Sequence, residues 1–237
     1  MIWEELAANV ARELEEHPQD FLRQKTISKT MHPNMRPLSL NYWKELVRKD
    51  YFLKEIFFYA WDGSFGEPYE FEFFPRISPQ SIQHAYYINM MYERMGIWLE
   101  DVKSIVEIGG GYGNFARIAR NMGFRDSYKI VDLPEIHVLQ KHYLDNTSPG
   151  HGVEFISVDR IEPAELLMAT FSVSEMPMEL REKLETHYPK FQYLFFGSTD
   201  SFDGTDNVRY FKELAKRIGG ECFKDAYRNA WFLLCKR

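Results

Sequence analysis

The run Glu107-Ile-Gly-Gly-Gly-Tyr-Gly113 carries the densest chemical information in the chain. Glycines at 109, 111 and 113 permit positive φ and leave the backbone bare, so a ligand can lie against main-chain N–H groups. If a helix follows, the same turn also offers the positive end of a helix dipole. Two cofactor patterns fit the spacing. From Gly111, the residues Gly-Tyr-Gly-Asn-Phe-Ala satisfy the G-x-G-x-x-A of dinucleotide turns; from Glu107, the run satisfies E-x-G-x-G-x-G. A plain structural turn is the third reading. Asp132 lies nineteen residues beyond Gly113. At the end of a second strand its carboxylate can accept both hydroxyls of a ribose, which suits either cofactor.

The charge of Glu107 favours one of them. The E-x-G-x-G-x-G run resembles the first motif of the class I methyltransferases, which bind S-adenosylmethionine; a carboxylate beside the phosphates of a dinucleotide costs Coulomb energy, whereas beside that cofactor's ammonium it helps. The candidate cofactor set is therefore Glu107, Gly109, Gly110, Gly111, Tyr112, Gly113 and Asp132. A sulfonium methyl is already activated, so the protein must align an acceptor oxygen, take or share its proton and exclude water. The segment Phe171 to Pro177, FSVSEMP, offers Ser172 toward the cofactor, Ser174 toward the acceptor and Glu175 as base. The competing reading of Glu175 is a first-turn carboxylate favoured by the next helix's dipole. His84 is the second candidate base, and Tyr86 beside it a candidate acceptor contact. His137 and His142 read as surface residues, and His187 as a cation favoured by a helix C-terminus. Asp200, Asp203 and Asp206 alternate in a loop, yet a calcium loop's glycine and terminal glutamate are missing from their offsets, so no metal is assigned. That loop reads as a cap for a helix at 207. Tyr69, Phe71, Phe73, Tyr86 and Tyr112 could stack on a ring or face a sulfonium, against the plainer reading that they are core.

These groups need elements to hold them. From Ser104 onward short apolar runs alternate with amphipathic segments, which predicts a parallel sheet with crossover helices. Strands are expected at 104–108, 128–132, 153–158, 166–172 and 192–197, with helices at 114–122, 135–144, 178–187 and 207–218. Gly219-Gly220 stops the last helix, and 221–225 with 230–236 read as a hairpin-like pair. Residues 1–100 are helical and aromatic-rich, with no strand rhythm. Ile2, Leu6, Val10 and Leu14 form one stripe, and Asn41 to Ala60 gives one or two further helices. Ser78 and Pro79 have the form of an N-cap and first helical residue, opening a helix to about Trp98. Residues 63–79 read as a loop. The expectation is a helical N-terminal cap or extension, 1–100, packed on a cofactor-binding domain, 101–237.

EIGGGYGNFARIA (Glu107 to Ala119), IVDLPEIHVLQKHYL (Ile130 to Leu144) and FSVSEMP together resemble the sugar O-methyltransferases, a bacterial branch of the class I methyltransferases, over roughly Gly66 to Ile218. The resemblance implies a Rossmann-like α/β fold with a seven-stranded sheet of order 3-2-1-4-5-7-6, the seventh strand antiparallel. It implies that S-adenosylmethionine is the cofactor and S-adenosylhomocysteine the product. It also carries Glu107 and the glycines to the cofactor loop, and Asp132 with Leu133 to the ribose and adenine edge. Asp159 stands where such folds often touch adenine; its plainer reading is a turn-initiating residue before a short helix at Pro163.

Composition bounds the rest. A chain of 237 residues with 45% hydrophobic and 16% aromatic residues can bury a core without disulfides or metals, and is not disordered. With 29 basic against 35 acidic residues and no dense basic run, nucleic acid is not an expected partner. No apolar run reaches the roughly 18–20 residues that span a bilayer. Two cysteines, Cys222 and Cys235, fit free thiols in a reducing, cytoplasmic setting. The sequence thus leads to a methyltransferase acting on a sugar or nucleotide-linked sugar hydroxyl, with a homo-oligomer left open. Another small polar acceptor, a non-catalytic cofactor-binding scaffold and an oxidoreductase are the rivals.

Overall fold

The computed structural model describes residues 2–31, 34–49, 51–52, 56–71, 76–148 and 152–237. Phe73, one of the candidate stacking aromatics, lies outside them. The chain forms two compact units. One comprises Met1–Met90, Gly111–Arg125 and Leu133–Gly152; the other comprises Met91–Gly110, Asp126–Asp132 and Val153–Arg237.

The second unit is built on a mostly parallel seven-stranded sheet. Its strands are β1 (Ser104–Ile108), β2 (Ser127–Val131), β3 (Glu154–Ile156), β4 (Leu166–Thr170), β5 (Tyr193–Thr199), β8 (Glu221–Lys224) and β9 (Ala230–Lys236). The order is β3-β2-β1-β4-β5-β9-β8, with β9 antiparallel to both β5 and β8. This differs in detail from the expected 3-2-1-4-5-7-6. A separate two-stranded ribbon, β6 (Ser201–Phe202) with β7 (Thr205–Asp206), forms where only a loop was expected, and it displaces the numbering. β1 to β5 are bounded within a few residues of their expected limits.

Alternation along the strands sorts the side chains into two faces. On one, Val106, Ile108, Leu167, Ala169, Leu194, Phe196 and Leu233 join Leu184 of α7 (Met178–Glu185) and Phe211, Leu214 and Ala215 of α8 (Asn207–Ile218) in a continuous buried core. The helix α8 is fixed at both ends. Asp206 accepts from Arg209 N at 2.9 Å, and Gly219 ends it in the left-handed region at φ 74°. The sequence located both caps.

The first unit is helical: α1 (Ile2–Glu16), α2 (Lys25–Thr30), α3 (Arg36–Leu46), most of α4 (Pro79–Met95), α5 (Asn114–Asn121) and α6 (Pro134–Thr147). Ala7, Val10 and Leu14 are buried along α1, which packs on α6. Ser78 caps α4 as expected, its Oγ accepting from Ser81 N at 3.1 Å, but α4 stops at Met95, short of Trp98. The short α2 was not expected. Its opening N–H groups are capped from a distance: Glu13 accepts from Thr26 N at 2.8 Å and from Ile27 N at 3.1 Å. No helix among the described residues is long and apolar enough to cross a membrane.

Candidate functional site

In the sheet unit the candidate residues gather at the carboxyl ends of β1, β2 and β4. Register sets Ile108 opposite Val131, and Gly109 N then donates to Val131 O at 2.9 Å, so Gly109 and Asp132 leave adjacent strands side by side. Strand order reverses between β1 and β4, which is where open α/β sheets form their ligand crevice. Gly109 has φ 71°, and a Cβ there would collide with Ser172 and lie 2.7 Å from its Oγ. Ser172 in turn donates its hydroxyl to Ile108 O. The pair joins the β1 end to the β4 end, so Ser172, expected to touch the cofactor, serves to lock the turn.

Glu107 is 1% exposed, on the sheet face opposite Val106 and Ile108. Tyr128 donates its hydroxyl to Oε2 at 2.7 Å. Burial pushes its carboxyl up to about 7, the Tyr128 hydrogen bond pulls it down, and the nearby charge of Asp132 raises it. Asp132 itself is half-buried.

The turn after β4, Ser172–Glu175, carries the other candidates. Phe171 precedes it in the left-handed region at φ 80°, a conformation bulky residues rarely hold. Ser174, expected to meet the acceptor, is completely buried and donates its hydroxyl to Phe171 O at 2.6 Å, so its role here is structural. Glu175 is half-buried, and burial alone pushes its carboxyl up to about 7. It lies outside α7, which begins at Met178, so the helix-dipole reading does not apply. Asp159 is exposed in the turn Val158–Arg160 and ion-paired to Lys183. It faces solvent, and no helix forms at Pro163.

In the helical unit Gly111 and Gly113 both have positive φ, 55° and 95°, and Gly113 is the N-cap position of α5. A Cβ at Gly111 would meet nothing nearer than Met31 Cβ at 3.9 Å, leaving its backbone open. Tyr112 is buried with its ring edge-on to Tyr143 at 4.9 Å, and it belongs to the core of this unit. Leu133 is the N-cap position of α6, where Pro134 opens the helix. Tyr86 is half-buried and stacks on Tyr42 at 4.0 Å. Phe71 is buried against Trp43, and Arg23 covers Tyr69.

His84 is brought to the glycine turn, but as a bound group. Asn114 Oδ1 accepts from Arg117 Nε at 2.9 Å and from the Tyr143 hydroxyl at 3.3 Å, which makes its Nδ2 a donor. That Nδ2 lies 3.1 Å from His84 Nδ1, so Nδ1 accepts. The other ring nitrogen, Nε2, lies 2.9 Å from Gln80 Nε2. With both nitrogens engaged, His84 holds Asn114, the first residue of α5, in place. His187 departs from expectation: burial and then Lys190 and Lys183 lower its pKa. His142 is half-buried with Nε2 2.9 Å from Pro18 O.

Sequence reasoning missed the buried network around Arg117. The guanidinium is 1% exposed and pairs with Asp62, also buried, at 3.1 Å. It donates further to Trp61 O, to Ala60 O at 3.3 Å and to Ser81 Oγ at 3.3 Å. Asp62 also accepts from Ser78 N and Ser81 Oγ, each at 2.6 Å. One ion pair thus ties residues 60–62, the start of α4 and the start of α5 together. Among the described residues, no group of three or more His, Cys, Asp or Glu could hold a metal ion.

No protein-family profile matches the chain, and no curated protein matches it. Among solved structures it is similar to Thermoplasma acidophilum 1320, at 13% identity over 66% of this chain and 89% of that one, with a TM-score of 0.49. It is similar to the mitomycin 7-O-methyltransferase MmcR, at 10% identity over 67% and 57%, TM-score 0.48. It is also similar to a SAM dependent methyltransferase from Aquifex aeolicus, at 10% identity over 56% and 80%, TM-score 0.42. The chain spans less than two thirds of MmcR. Likenesses at this level say nothing of activity, so the chemistry rests on the residues above.

Two outcomes follow from these networks. Arg117→Ala leaves Asp62 buried and unpaired, and is expected to cost about 3–5 kcal/mol of stability in urea unfolding, with the double variant Asp62→Leu/Arg117→Met recovering much of it. Glu107 binds its proton more tightly folded than unfolded, since its carboxyl is raised from 4.5 to about 7. Its contribution to stability is therefore full below pH 4.5 and lost as pH rises through about 7. Glu107→Gln should raise the urea midpoint at pH 8 relative to the parent and flatten its pH dependence between 5 and 8.

Proposed function

We propose that the chain is an S-adenosylmethionine-dependent O-methyltransferase of a small hydroxylated acceptor, a sugar or nucleotide-linked sugar. The observation that carries this reading is the pair of carboxylates at adjacent strand ends. Glu107 is buried and has no cationic partner among the described residues, and Asp132 stands beside Gly109 at the end of β2. A dinucleotide would bring phosphates to a carboxylate, whereas an amino acid's ammonium would relieve it.

The residues present fit the cofactor. Glu107 would receive the ammonium and Asp132 the ribose hydroxyls, both at the strand ends of the sheet unit. When bound, the cofactor supplies a methyl group already activated by its sulfonium. The chain's own task is then to orient the acceptor hydroxyl, exclude water and accept one proton. Glu175 suits the last: a carboxyl near 7 is a stronger base than an ordinary one and still ionised in a useful fraction at neutral pH. Its Oε takes the hydroxyl proton as the acceptor oxygen gains the methyl. Acidic overall charge supports a small molecule over nucleic acid as acceptor.

Calorimetry with S-adenosylhomocysteine and with NAD tests the assignment. The product should bind and NAD should not; the reverse result overturns it. Asp132→Ala should weaken product binding by about 1.5–3 kcal/mol, the worth of a hydrogen bond to a charged group. Glu175→Gln should keep that affinity and slow methylation by roughly a hundredfold or more, as loss of a general base does.

A further inference from the structure

The six residues 171–176 are held at almost every polar point except one. Phe171 N donates to Gly197 O at 3.0 Å, Ser172 Oγ to Ile108 O, and Ser174 Oγ to Phe171 O. The carbonyls of Ser174 and Met176, the residues on either side of Glu175, both accept from a single side chain. Arg181 Nη2 reaches Ser174 O at 2.6 Å, and Arg181 Nε reaches Met176 O at 2.8 Å. Arg181 is wholly buried, and its third contact is Asn207 Oδ1 at 2.7 Å. Asn207 is buried too, and its Nδ2 donates to the same Ser174 carbonyl at 3.1 Å. The only polar side chain of the turn with no hydrogen bond or ion pair among the described residues is that of Glu175.

A buried guanidinium normally meets a carboxylate, because leaving its charge uncompensated costs several kcal/mol. Arg181 meets two carbonyls, one amide oxygen and the Tyr210 ring, 5.0 Å away. Burial accordingly lowers its pKa. Simple packing of α7 would be served better by an apolar residue. What this arrangement provides is a planar, two-pronged donor that fixes the backbone immediately before and after Glu175.

We infer that Arg181 and Asn207 form a clamp that positions Glu175, holding its carboxylate in a partly buried setting. The inference deepens the proposed function, since it rests on Glu175 being the base. Neither residue touches the reacting atoms; both act through the backbone of the turn. The clamp explains how a turn opened by a left-handed Phe171 keeps one geometry. Arg181 itself is spent on the Ser174 and Met176 carbonyls and on Asn207, and Arg228 lies over the Phe171 ring of the same turn.

The test reads Glu175 directly. Protein labelled with carboxyl-13C glutamate is titrated by NMR, with Glu175 assigned from its absence in Glu175→Gln. The parent should titrate near 7. Arg181→Lys can reach only one of the carbonyls, and Asn207→Ala removes the brace while leaving the arginine; the second is the milder change should the first fail to fold. In either folded variant the Glu175 midpoint should fall toward 4.5 by at least one pH unit, while affinity for S-adenosylhomocysteine stays within threefold of the parent. A midpoint that stays at the parent value in a folded variant overturns the clamp. Failure of the parent to bind S-adenosylhomocysteine overturns the functional reading instead, whatever Glu175 does.

Discussion

A carboxylate placed in the interior of a sheet constrains everything near it. Glu107 sits on the strand where chain order reverses, one residue before the strand ends and two before a glycine that must hold positive φ. Among the described residues only a tyrosine hydroxyl offsets its burial, and a second carboxylate on the neighbouring strand end makes matters worse. Such a group destabilises the fold above neutral pH unless something positive arrives. A structural carboxylate would be given a permanent partner, as Asp62 is given Arg117. Under the proposed function, the contrast between these two buried acids is that between a group kept for architecture and one kept for a ligand.

Glycine here is a consequence of packing as much as of ligand access. Ser172 occupies the space a side chain at 109 would need, and its hydroxyl secures the last carbonyl of β1. The Gly109 end of the turn is thereby joined directly to the turn that carries Glu175. In the helical unit the same turn is anchored through Asn114, His84 and Arg117. Each unit therefore commits buried polar groups to its own share of residues 107–114.

Much of this was legible in the sequence because the signals are local. The alternation of β1 to β5, the Ser78 and Asp206 caps and Gly219 each act on their own neighbours. The misses are long-range. The α2 helix is capped by Glu13 from another helix, and β6 with β7 is too short to carry a period. The Arg117–Asp62 pair joins residues 55 positions apart that no spacing rule connects. At the candidate site, residue type was a better guide than role. Glu107, Gly109, Asp132 and Glu175 lie at the strand ends as read. Ser172, Ser174 and His84 lie in or beside the same turns, yet spend their polar atoms on the protein itself, which sequence alone does not reveal.

The central claim is that Glu107 is a buried acid awaiting a cation. Proton-linked calorimetry addresses it most directly: S-adenosylhomocysteine is titrated at pH 7 into the protein in two buffers of different ionisation enthalpy. With a carboxyl near 7, about half the molecules hold a proton there before binding, and an ammonium placed beside it should expel that proton. The account predicts release of about half a proton per ligand bound, abolished in Glu107→Gln. Tight binding with identical enthalpy in both buffers would contradict it.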